Sequence, residues 1–250
     1  MDIDLHGARI YTIVEDSPIG EIHITQTMIM GWIVLIVLSF LCWILGRNLK
    51  VTGISKRQAI AEWIVELLNN FVRGNMGDKF DYYIPFIGAL FGTAIISNMI
   101  SLVGGCWSPT ADLATEAGWA IIVLILITKH KIKANGIGGY LKGYLDPMPV
   151  MLPMNIISEF STPISMACRH FGNILSGMVI GTLIYSALGL ASAALLGLIP
   201  VVGGWLAAHI PILEIGLPAV TSLYFDWFSG LIQPFIFCTL TCIFIKQASE

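Results

Sequence analysis

Asn155 to Met178 reads NIISEFSTPISMACRHFGNILSGM, and one residue within it governs the reading of the whole chain. Arg169 is the one Lys or Arg inside the long apolar regions, and apolar residues continue for many positions beyond it. An ionisable side chain at membrane depth is expensive, and is kept for ion transfer or for pairing with another charge. Asn155, Ser158, Thr162, Ser165, Arg169, Asn173 (or Gly172) and Ser176 recur at steps of three and four. On a helix that spacing draws one narrow polar stripe. Glu159 flanks the stripe near its start, and Pro163 predicts a local bend or a late helix start.

The 250 residues are 56% hydrophobic and only 12% charged, with a mean hydropathy of +0.81. Soluble domains carry about 25% charged residues, so the composition indicates an all-α integral membrane protein with no room for a separate soluble domain. The net charge of -3 says little, because the placement of the charges matters more than their sum. The first 27 residues are polar and acidic (Asp2, Asp4, Glu15, Asp16, Glu21) and lack the basic start of a secretory signal. All five cysteines lie in or beside apolar runs. Cys238 and Cys242 share a helix face at i,i+4, but no His or carboxylate stands near to complete a metal site, so they read as small buried hydrophobes.

The chain divides into an outer N-terminal segment (1–26) followed by five membrane-crossing segments and one surface helix. The first span is 27–45, whose 19 residues cover a bilayer core of about 30 Å. Residues 55–73 carry Ile60, Trp63, Ile64, Leu67, Leu68 and Phe71 on one face, opposite Glu62, Glu66, Asn69 and Arg73. That pattern predicts an amphipathic helix lying on the membrane surface, the alternative being a helix packed on other protein. The second span is 82–103, where Gly88, Gly92, Ser97 and Asn98 suit close helix contacts or a polar lining. The third is 109–128, with Ser108 or Thr110 as a cap and Asp112 and Glu116 in its first turns near the outer interface. A polar loop is expected over Lys129 to Leu145. The regions 148–199 and 211–246 are longer than a perpendicular span requires, so each is either one strongly tilted helix or a broken one.

Thirteen Lys and Arg are present, and all but Arg9 and Arg169 fall on one side if the chain crosses five times. That side is cytoplasmic by the positive-inside bias, which puts the N-terminus outside and the C-terminus in the cytoplasm. The last two regions then run antiparallel. In the final one Asp226, Ser229 or Gly230, and Gln233 share a face. Gln233 can meet Arg169 near mid-depth, with Asp226 and Asn173 on the outward side and Ser165, Thr162 and Glu159 on the inward side. Two polar paths approach one fixed cation from opposite faces. Alternatively Arg169 pairs with Asp226 or Glu159 and serves the fold alone. His170 reads either as a member of the ion path or as a packing residue, and His209 and Glu214 either as an outer vestibule or as surface polarity.

Three phrases resemble a known family: IISEFSTPISMACRHFGN (Ile156 to Asn173), SPTADL (Ser108 to Leu113) and GLIQPFIF (Gly230 to Phe237). Together, and over nearly the whole chain, they resemble subunit a of the rotary F-type ATP synthase. The resemblance implies a non-catalytic stator subunit with two long tilted helices against a ring of c subunits, joined through peripheral-stalk b subunits to the F1 catalytic head. It implies two offset half-channels for H+ or Na+, no cofactor, no nucleotide or nucleic acid, and a bacterial plasma membrane with its lipid as surroundings. Arg169, Asn173 and Gln233 correspond to the family's arginine, path asparagine and central glutamine, with Asp226, Ser165 and Ser176 on the same ring-facing surface. Asp112, Glu116, Asp226, Asn173, His209 and Glu214 are expected along the outer half-channel, and Glu159, Thr162, Ser158 and His170 along the inner one. Some members carry a glutamate nine residues after the arginine; Met178 stands there here, which shifts weight to Asp226. From another class, a stand-alone secondary transporter or channel would use the same buried arginine, and would show an inverted repeat.

Overall fold

The computed structural model describes residues 10–14, 22–100, 107–146, 148–197 and 223–249. It opens with a feature the composition hid. Strand β1 (Ile10–Val14) pairs antiparallel with β2 (Ile22–Thr25), Ile10 standing opposite Thr25. The two runs, IYTIV and IHIT, are β-branched and short, so a hydropathy reading passes over them. Thr25 then caps the first helix, its hydroxyl accepting from the Met28 amide at 3.3 Å.

Among the described residues, every regular element after this strand pair is helical. Helix α1 (Gln26–Gly46) leads to α2 (Lys56–Met76), which Ser55 caps. A short 3-10 turn (Asp78–Tyr83) runs into α3 (Ile84–Ile100). Helix α4 (Leu113–Gly143) follows a 3-10 turn at Pro109–Ala111, and α5 (Leu152–Gly197) follows one at Pro149–Met151. A π-helical turn (Leu223–Ser229) leads into α6 (Gly230–Gln247). Among the described residues five helical stretches are long and apolar enough to cross a membrane: Gln26–Gly46, Asp78–Ile100, Leu113–Gly143, Pro149–Leu195 and Trp227–Gln247.

Helix α2 is the amphipathic one. Its Ile60, Trp63 and Leu67 are exposed, an apolar face that no part of the described chain covers, while Val72 and Met76 are buried. Arg73 holds its end to the start of the next span by two bonds to Asp81, at 3.0 and 2.7 Å. Helix α4 extends well beyond its apolar part. The stretch from Lys129, which reads as a polar loop, stays helical to Gly143 and is interrupted at Gly136, whose φ of 68° and ψ of 167° suit glycine alone. Lysines and glycines here suppress hydropathy, and hydropathy was the only signal for a span.

Helix α5 is continuous rather than broken over the described part of its region. It runs 46 residues without a break, about 69 Å at 1.5 Å per residue, against a bilayer core of about 30 Å. That is more than twice the length a perpendicular crossing requires. Pro163 lies inside it and deprives the Glu159 carbonyl of its usual donor without ending the helix.

Between membrane helices the hydrophobic effect drives little, so packing decides the arrangement. A Cβ on Gly88 would meet Leu68 Cδ1 at 3.0 Å, and one on Gly92 would meet Leu38 Cδ1 at 3.1 Å. These two glycines let α3 approach α2 and α1 respectively. Val72, Tyr83, Ile87, Val123, Met166, Phe237, Cys238 and Ile245 form the core where α2 to α6 converge. Cys238 and Cys242 are fully buried there.

Candidate functional site

On a helix, consecutive residues point about 100° apart, and on α5 that rotation separates Arg169 from His170. Arg169 is exposed, while His170 is 1% exposed and faces the bundle with Met166 and Ala167. Ser165 and Ser176 are exposed on the surface that carries the guanidinium. Among the described residues Arg169 pairs with no carboxylate. Asn173, half-buried, donates to the Ser229 hydroxyl and so ties α5 to the turn before α6. Ser176 returns its hydroxyl to the Gly172 carbonyl at 2.5 Å.

Behind Arg169 lies a buried polar cluster drawn from five elements: α3, the 3-10 turn at Pro109–Ala111, α4, α5 and α6. His170 Nδ1 stands 3.0 Å from Glu116 Oε2, with the two side chains 1% and 0% exposed. The contact is close but off the hydrogen-bond direction, and both Glu116 oxygens and His170 Nδ1 lack an aligned partner. Asn98 Nδ2 lies 3.3 Å from His170 Nε2 and donates to the Gly230 carbonyl at 2.7 Å. Asn98 Oδ1 accepts from Thr110 Oγ1 at 2.7 Å. Ser108 bonds both Thr110 Oγ1 at 2.5 Å and the Ser97 carbonyl at 2.7 Å. Asn98, Thr110 and Ser108 offset the cost of their burial by bonding to one another and to backbone carbonyls, whereas the Glu116 carboxyl and His170 Nδ1 keep only their mutual contact. Gly230 is buried against Asn98 Cβ, which stands 3.7 Å from where its own Cβ would lie.

Asp112 has a separate position. One of its oxygens accepts from Thr27 Oγ1 at 2.9 Å and the other caps α4 through the Ala114 amide at 3.0 Å. It thereby fixes the first turn of α4, which carries Glu116.

At the other end of α5, Glu159 is 7% exposed and surrounded by donors. Lys131 Nζ lies 3.0 Å away, Tyr140 Oη 3.2 Å away, and the Tyr144 hydroxyl also donates to it. Burial, reinforced by the neighbouring carboxylate, pushes the Tyr144 hydroxyl above its ordinary pKa. A cavity of about 410 Å³ opens here, lined by Lys131, Asn155, Ser158, Glu159 and Thr162. Ser158, Glu159 and Thr162 thus line one cavity. His170, grouped with them from the sequence, stands instead beside Glu116. Glu159 takes Lys131 as its ion partner rather than Arg169.

Gln233 is half-buried on α6, and Asp226 lies in the turn Leu223–Ser229, of which only the backbone is described at that position. His209 and Glu214 fall outside the described residues. The sequence reading missed Lys131, Tyr140 and Tyr144 as neighbours of Glu159. Treating 129–143 as helix would have revealed Tyr140 and Tyr144 at i,i+4.

A profile of the ATP synthase A chain matches residues 28–246. The chain belongs to the ATP synthase subunit a family. Among curated relatives, ATP synthase subunit a 1 of Crocosphaera subtropica is 34% identical over 227 residues, covering 90% of this chain and 87% of that protein. Subunit a of Desulforamulus reducens is 34% identical over 89% of this chain and 78% of its own length. The subunit from Propionigenium modestum, described as sodium ion specific, is 32% identical over 89% of this chain and 73% of its own. A member of this family is the ion-translocating stator subunit of a rotary ATP synthase, coupling H+ or Na+ flow to ATP synthesis without being catalytic itself. The chain is a multi-pass membrane protein that works as part of that assembly.

Proposed function

We propose that the exposed Arg169 faces a carboxylate on a rotating ring of c subunits and separates two half-channels. The observation that supports this reading is the guanidinium on the outer surface of α5, without a carboxylate partner among the described residues, beside the fully buried His170. An internal ion pair would have answered for the charge; Glu159, the nearer candidate by sequence, is already neutralised by Lys131.

An ion entering from the outer side neutralises the ring carboxylate, which can then turn through lipid at tolerable cost. After almost a full rotation the ion leaves by the inner side. Arg169 attracts the emptied carboxylate, and a guanidinium that never deprotonates cannot pass a proton between the two paths. Each charge moved contributes about 2.3 kcal/mol per 100 mV. Asp112, Glu116, Asn173 and Asp226, with His209 and Glu214, form the outer path. His170 joins Glu116 on this side, since the two side chains touch. Ser158, Glu159 and Thr162 form the inner path through the cavity they line. Gln233, Ser165 and Ser176 complete the surface toward the ring. In this reading the b subunits and the F1 head attach to the same stator, the N-terminus lies outside a bacterial plasma membrane, and the C-terminus lies in the cytoplasm.

The test is reconstitution of the whole complex in vesicles, with ion-driven ATP synthesis measured for the wild type and for Arg169→Ala. Coupled synthesis is expected to vanish in the variant, and ordinary rates there would reject the assignment. Varying Na+ and adding a protonophore to the wild type identifies the ion.

A further inference from the structure

Away from the site above, three lysines from three elements surround one cavity. Lys79 in the turn before α3, Lys133 on α4 and Lys246 at the end of α6 line a space of about 750 Å³. That volume is typical of small-ligand sites, which run from about 300 to 1,000 Å³. His130 and Tyr82 belong to its lining, and their polar atoms are already engaged. His130 Nδ1 is 2.9 Å from the Leu126 carbonyl, and Nε2 is 3.1 Å from the Tyr82 hydroxyl. Asp78 is the one carboxylate lining the cavity among the described residues, and its side chain is 88% exposed and faces Arg73 at 3.8 Å. None of the three ammonium groups has an ion pair or hydrogen bond among the described residues. Three ammonium groups around one space repel each other unless an anion joins them.

The position along the helices narrows the anion's class. Lys79 precedes the apolar part of α3, Lys133 follows that of α4, and Lys246 lies in the last turn of α6. All three mark the ends of spans on the basic side of the bundle, the level of lipid headgroups. Phe80 and Tyr82 give the cavity an aromatic edge, and Tyr82 is exposed there. Such rings favour the membrane interface. We propose that this cavity binds the phosphate of an anionic phospholipid from the leaflet on the basic side. Lys79, Lys133 and Lys246 supply the counter-charge, and the acyl chains leave past Phe80 and Tyr82. The site involves neither Arg169 nor the polar cluster behind it.

The test uses the purified complex in phosphatidylcholine nanodiscs doped with a photoactivatable phosphatidylglycerol. Adducts are expected on peptides spanning 76–82 and 130–134. Combining Lys79→Gln, Lys133→Gln and Lys246→Gln should lower the labelling about a hundredfold at low probe concentration, whereas the three arginine substitutions should keep it. The arginine set guards against a loss that merely reflects poor assembly. Equal labelling by a photoactivatable phosphatidylcholine, or labelling unchanged in the glutamine variant, would overturn the proposal. So would displacement by millimolar inorganic phosphate, which assigns the site to a free anion. Cross-linking of the cavity to another subunit, with no lipid adduct, would overturn it as well.

Discussion

His170 Nδ1 and Glu116 Oε2 stand 3.0 Å apart with both side chains essentially inaccessible, one residue along α5 from an exposed arginine. The pair joins α4 to α5 at the level of Arg169, so it also fixes the rotation of α5 about its own axis. Turning the helix to expose His170 would bury the guanidinium, which a membrane bundle resists.

Breaking one partner of a buried charged or polar pair typically costs about 3–5 kcal/mol, because the other is left uncompensated. Glu116→Ala and His170→Ala should each destabilise the purified complex by an amount of this order in an SDS titration. The double variant should cost less than the sum, with a coupling of about 0.5–3 kcal/mol. Strict additivity would show that the two groups do not interact.

Tyr144 makes the inner end of α5 sensitive to alkali. Its hydroxyl is raised above the reference of 10.0, first by burial and then by its bond to Glu159. A group that holds its proton more tightly when folded stabilises below the unfolded pKa and loses that contribution as pH rises toward the folded one. The stability of the wild type relative to Tyr144→Phe should therefore be flat below about pH 10 and fall above it. A difference that grows toward acid would contradict the arrangement.

Two glycines of α4 should respond oppositely to alanine. Gly136 has a φ of 68° and a ψ of 167°, a conformation costing a side-chain residue about 1–3 kcal/mol. Gly118 is in regular helix, with nothing within 4 Å of an added Cβ. Gly118→Ala should stabilise by about 0.5–1 kcal/mol while Gly136→Ala destabilises, both read from thermal unfolding of the complex.

The spans and the polar stripe could be read from sequence because membrane helices carry their signal locally, in runs of apolar residues and in steps of three and four. Arg169 stood out for the same reason. The hairpin Ile10–Thr25 did not, since nine residues of strand carry little hydropathy. The helical extension of α4 was hidden because lysines and glycines replace apolar residues where a helix leaves the membrane. The contacts of His170 and Glu159 were hidden for a different reason: they are made between helices. Nothing within NIISEFSTPISMACRHFGNILSGM says that His170 meets Glu116, 54 positions earlier, while Glu159 meets Lys131. Those pairings follow from how α4 and α5 pack.

The central claim is that the Arg169 surface of α5 faces the moving carboxylate, and cysteine cross-linking in the intact complex addresses it most directly. With the native cysteines replaced, Ser165→Cys and Ser176→Cys place thiols on the exposed surface beside Arg169, and Ala167→Cys places one on the buried side. A partner cysteine is introduced next to the ring carboxylate. Disulfides should form from positions 165 and 176 and not from 167; cross-linking from 167, with none from the other two, would contradict the account.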